Sequence, residues 1–102
     1  MRYLIALAVA AMLSAPARAE TDTDKRQDCQ YQADVAAAVQ RARLDGVREA
    51  RVAETIAAGN PAWPERYSRA IPILAGEIYK LKKRDLRKVD LGRQWMTACM
   101  AE

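Results

Sequence analysis

Few residues in this chain are equipped for chemistry. Its 102 residues include two cysteines and no histidine. It therefore lacks the commonest general base, the commonest metal ligand and the usual switch near neutral pH. Ser68 is the one serine after residue 19. A serine nucleophile needs an adjacent base, and no lysine lies near Ser68 in sequence. A polar helix position accounts for it more simply. Glu49 and Glu54, five apart among arginines, do not make the tuned carboxylate pair of acid–base catalysis. Asp22, Asp24 and Asp28 lack the glycine and the distal bidentate acid of a calcium loop, and read as a solvated, helix-capping end. The glycines at 46, 59, 76 and 92 are isolated, which excludes a phosphate-cradling loop. The expectation is a protein that is not an enzyme and uses no metal or cofactor.

The cysteines themselves, Cys29 and Cys99, lack Cys-x-x-Cys spacing and an activating histidine, so a redox-active thiol is the weaker reading. Two cysteines in an exported chain allow one intramolecular bridge. Paired in this way they cannot help build a zinc, haem or iron–sulfur site. Closing so long a loop contributes about 4 kcal/mol in the chain-entropy description. For a small domain that rivals the net yield of the core.

Export is read from the N-terminus. Arg2 is followed by the uncharged run Leu4–Leu13, and then by Ala17 and Ala19 in the small-x-small pattern of a signal-peptidase site. The run is shorter than the ~20 residues of a spanning helix. No cysteine stands at the cleavage point and no arginine pair in the n-region, so neither a lipid anchor nor twin-arginine export is indicated. These features predict a cleaved secretory signal peptide over 1–19 and a single helical domain over 20–102, periplasmic or secreted. Without Arg2 and Arg18 the 17 basic residues become 15 against 13 acidic ones, a net charge of +2.

The elements that must position these residues all read as helices. From about Asp24 to Leu44 there is no Pro or Gly, and Tyr31, Val35, Ala38, Val39 and Ala42 make a helical stripe that Asp45-Gly46 ends. Val47 to Ala58 makes a shorter helix, stopped by Gly59-Asn60-Pro61. Tyr67, Ile71, Leu74, Ile78 and Leu81 follow one stripe, so a single helix kinked at Pro72 is expected from about 64 to 84. A turn at 85–89 leads to a last helix capped by Asp90, with Leu91, Trp95, Ala98 and Cys99 on one face. No segment alternates like a strand. The fold class is all-α, a small bundle of three to four helices stapled by one disulfide between the first and last helix. Trp95, one turn before Cys99, is expected to cover that bridge from the core side.

Two features remain as candidate partner contacts. The basic stretch from Lys80 to Arg93 carries Lys80, Lys82, Lys83, Arg84, Arg87 and Lys88. It lacks the interleaved aromatics that would stack bases, and nucleic acid is a poor partner for an exported protein. An unknown protein partner or an anionic envelope surface suits it, against the alternative of a simply solvated helix end. Trp63, set between prolines, and the nearby Tyr67 form the second feature. They are read either as an anchor for a partner or as a lid on a core that has no Phe. The acidic start and basic end either attract each other or serve separate surfaces.

With Cys29-Gln-Tyr31 near the start and Trp95-Met-Thr-Ala-Cys99 at the end, the layout resembles small periplasmic two-cysteine helical proteins of Gram-negative bacteria. The acid-stress chaperones and certain small immunity or inhibitor proteins share that plan. The resemblance implies a non-catalytic binding or inhibitor-like protein, or alternatively a chaperone that opens at low pH. The cysteines here lie farther apart than the acid chaperones' pair.

Overall fold

A computed structural model describes residues 16–102, with side chains from Asp22 onward. The apolar run Leu4–Leu13 lies outside the described residues, and residues 16–19 of the expected signal peptide belong to the first helix. That helix, α1, runs Pro16–Leu44. It begins about eight residues before the expected start, so Asp22 and Asp24 lie inside it and cap nothing. No Gly or Pro interrupts the chain between Pro16 and Gly46, and each Asp or Thr costs a running helix only a few tenths of a kcal/mol. The end is as expected, with Gly46 at φ 86.

A 3-10 turn at Glu49–Arg51 leads into α2, Val52–Ala58. Asn60 takes up the left-handed backbone at φ 53, and Pro61 bars continuation. The expected kinked helix over 64–84 is instead two pieces, a 3-10 stretch at Glu65–Ala70 and α3 at Ile71–Ile78. Pro72 has no N–H to bond back to the preceding turn, so it starts a helix and does not bend one. After Ile78 the chain tightens through Tyr79, Lys80 and Leu81, six residues short of the expected end near 84. One helical turn, α4 at Lys83–Leu86, precedes α5, Leu91–Met100. Asp90 caps α5 as read, accepting from the Arg93 backbone N–H at 3.0 Å.

Helix α1 is the spine of this all-α bundle, and α2, α3 and α5 pack on it. The core consists of Val35, Val39 and Ala42 of the predicted α1 stripe with Val52, Ile71, Ala75, Ile78 and Leu86. The disulfide joins Cys29 to Cys99, with Cα atoms 5.7 Å apart, and ties α1 to α5. Close approach of the two helices continues at Gly92, where an added Cβ would lie 3.2 Å from the Ala33 carbonyl and 3.3 Å from the Ala37 Cβ. Helix α5 therefore turns Gly92, Met96, Cys99 and Met100 toward α1. Of the face expected to do so, Leu91 packs against the core and Cys99 forms the bridge, but Trp95 and Ala98 are exposed, and their assignment is corrected. Trp95 does not cover the bridge from the core side but stands 37% exposed at the edge.

Gln40, buried in the middle of α1, joins the last third of the chain to the spine. Its Nε2 donates to the carbonyls of Leu86 and Val89 at 2.8 and 2.9 Å, and its Oε1 accepts from the Leu91 N–H at 3.1 Å. One side chain thus satisfies three backbone groups at the end of α4, at the start of α5 and in the link between them.

Candidate functional site: a groove between three helices

Ser68 and Asp28, two of the polar side chains that suggested chemistry, are engaged in contacts between elements. Trp63 is half-buried against the core, and its Nε1–H donates to Ser68 Oγ at 2.9 Å. That occupies the only hydroxyl weighed as a nucleophile. Tyr67 donates its hydroxyl to Asp28, packs its ring 5.1 Å from that of Tyr31 and lies under the Arg66 guanidinium. The bond to Asp28 is the main cause that pushes the Tyr67 hydroxyl above its ordinary value of 10.0. Asp28 also accepts from Gln32 at 2.8 Å, within α1. No group of three or more metal-ligating side chains comes together among the described residues.

The basic residues stand elsewhere. Lys80 pairs with Glu77 at 3.2 Å. Lys82, Arg84, Arg87 and Lys88 are exposed, and Lys83 is half-buried. Their segment lies against Gln40 and Arg43, about 18 Å along α1 from Asp28 at 1.5 Å per residue. The acidic start and the basic end therefore form separate surfaces.

The most developed concavity lies between α1, α3 and α5, a groove of about 870 Å3. Ala36, Leu74, Ile78 and Leu91 belong to its walls, and the Cys29–Cys99 bridge lies at one end. Ile73, Leu81 and Trp95 also line it, and all three are exposed, Ile73 by 73%. They are three of the four large exposed apolar side chains among the described residues, Val89 being the fourth. Trp95 is held in place by its Nε1–H, which donates to Gln32 Oε1 at 2.9 Å. At the bridge end Lys25 Nζ donates to the Glu102 backbone carbonyl. Asp28, Glu77 and Glu102 carry carboxylates in the lining and Lys25 a cation, with Glu77 paired to Lys80 outside the groove and Asp28 accepting from Tyr67 and Gln32.

The volume is at the upper end of the range for ligand sites. The exposed rim, however, makes this a trough that a flat or rod-shaped apolar surface would fill. Sequence reasoning placed Leu81 and Trp95 on buried stripes and did not single out Ile73. The available signal was an isoleucine directly after Pro72 and off the α3 stripe, where a polar residue would otherwise stand. The arrangement offers apolar burial and a few hydrogen bonds. No family model, curated protein or solved structure matches this chain.

Proposed function

We propose that this is an exported, non-catalytic binding protein whose groove receives an amphipathic helical segment of another polypeptide. The supporting observation is the gathering of Ile73, Leu81 and Trp95 along one trough. Scattered apolar residues on a surface need no explanation, but three lining one concavity leave that surface unpartnered. From Lys25 to Ala36 the trough follows α1 for about 17 Å, three helical turns at 1.5 Å per residue. That length suits a helix presenting apolar residues at i, i+3 or i+4, and i+7. The carboxylates of Asp28, Glu77 and Glu102 favour basic residues on the flanks of the incoming helix. Trp95 is an anchor of the type that dominates such contacts.

Selection from a random peptide library on the oxidised protein tests this reading. Enriched peptides are expected to share helical apolar spacing with basic flanks, to change Trp95 fluorescence, and to bind an Ile73→Glu variant at least tenfold more weakly. Peptides without that spacing, or equal affinity for the variant, would overturn it.

A further inference from the structure

The segment between α3 and α5 is fastened to α1 along its backbone. The Arg43 guanidinium donates to the Leu81 carbonyl at 3.1 Å, and Gln40 holds the carbonyls of Leu86 and Val89 and the N–H of Leu91. Leu86 is sunk into the core at 1% exposure. With these groups turned inward, Lys82, Arg84, Arg87 and Lys88 project outward, and Lys83 is half-buried beside them. None of the five pairs with a carboxylate among the described residues, where the ion pairs are Arg51–Glu54 and Lys80–Glu77. The one acid among them is Asp85. At the two ends of the run stand Leu81 and Val89, 44% and 40% exposed.

We propose that this platform docks on an anionic lipid bilayer, with the five cations on headgroup phosphates and Leu81 and Val89 entering the interface. A merely solvated helix end accounts for the cations but not for aliphatic side chains exposed at both ends of the run, of which Val89 lies outside the groove. A protein partner fits less well, because lysine is depleted in protein interfaces and three of the five cations are lysines. Basic side chains interleaved with apolar ones are what an anionic membrane surface selects, by headgroup attraction and shallow insertion together. The fastened backbone adds preorganisation, since little conformational freedom remains to be lost on docking. The platform shares Leu81 with the rim of the groove, whereas Ile73 and Trp95 belong to the groove alone and the five cations to the platform alone, so the Ile73 and lysine variants tell the two readings apart.

Sedimentation of the oxidised protein, recovered from the periplasmic fraction of expressing cells, with phosphatidylcholine vesicles with and without phosphatidylglycerol tests the proposal. Binding is expected only when the anionic lipid is present and should fall steeply with added salt, each cation contributing about fivefold. Lys82→Glu/Lys83→Glu/Lys88→Glu should weaken it at least a hundredfold, and Leu81→Asp/Val89→Asp should weaken it measurably. Arg48→Glu/Arg51→Glu, elsewhere on the surface, should leave it unchanged, as should Ile73→Glu in the groove. Equal binding to both vesicle types, indifference to the lysine reversal, or retention only on an immobilised acidic polypeptide would overturn it. The salt series uses the unaltered protein, so the outcome does not depend on how well the variants fold.

Discussion

At the scale of single residues, the side chains that matter most are polar ones spent on structure. Gln40 is the clearest, because its three hydrogen bonds tie the end of α4, the link after it and the start of α5 to α1. Gln40→Leu keeps most of the volume but leaves the Leu86 carbonyl only the long bond from the Val89 N–H and removes the side-chain partners of the Val89 carbonyl and the Leu91 N–H, so a loss of about 2–3 kcal/mol is expected in urea unfolding. A loss below about 0.5 kcal/mol would mean that water satisfies those groups. The tyrosines give a pH signature. Desolvation raises the Tyr79 hydroxyl above 10.0, further raised by Glu49 and opposed by Arg43, while it donates to the Val47 carbonyl at 2.6 Å. Tyr67 is raised chiefly by its bond to Asp28. Raised folded values mean that the unfolded chain releases these protons first. The stability they contribute is thus intact below pH 10 and is lost as pH rises through the folded values. Tyrosinate absorbance should show late-ionising groups in the folded protein, and Tyr79→Phe should remove one of them. Identical titration of folded and urea-unfolded protein would contradict both assignments.

At the scale of elements, the α1 stripe, the stop at Asn60-Pro61, the Asp90 cap and the α1–α5 bridge were legible from sequence. Each rests on local backbone chemistry or on a pairing with one solution. The break at Pro72 was not, because the apolar spacing of Tyr67, Ile71, Leu74 and Ile78 continues across it whether the backbone bends or restarts. Nor was the inward face of α5. Hydropathy favours Leu91 and Trp95, whereas the deciding residue is Gly92, whose missing side chain admits the α1 backbone. The groove arises from that choice, since Trp95 is displaced to its edge, and no one-dimensional pattern encodes it. Two glycines test the account in opposite directions. An alanine at helical position 76 would find its nearest neighbour, Glu49 Oε2, at 4.0 Å. Gly76→Ala should therefore gain about 0.5–1 kcal/mol from helix propensity. Gly92→Ala has the same propensity gain but sets its Cβ against the Ala33 carbonyl, which is backbone and cannot swing aside. It should lose about 1–2 kcal/mol net. Thermal unfolding of the pair measures both, and a shift of the same sign at 76 and 92 would show that α5 rides more loosely on α1 than described.

At the scale of the whole molecule, the question is whether this bundle holds its shape in acid or opens as a chaperone would. The ion pairs among the described residues, Arg51–Glu54 and Lys80–Glu77, are exposed i,i+3 contacts. Such pairs contribute about 0–1 kcal/mol, so protonating their carboxylates removes little. What acid adds is repulsion among basic residues left without opposing charge. Against it stands the bridge between residues 70 apart, contributing about 4 kcal/mol by restricting the unfolded chain. The expected outcome is that oxidised protein keeps its far-UV helicity and binds no hydrophobic dye beyond its neutral-pH level at pH 3. The reduced protein, or Cys29→Ser/Cys99→Ser, should lose helicity cooperatively on the same titration. This contrast separates the groove-binding reading from its rival. A protein working through a preformed trough needs α3 and α5 fixed on α1 in every condition, whereas an acid-stress chaperone must release them. Cooperative opening of the oxidised form, with new dye binding, would transfer the function from the groove to the core faces that acid uncovers.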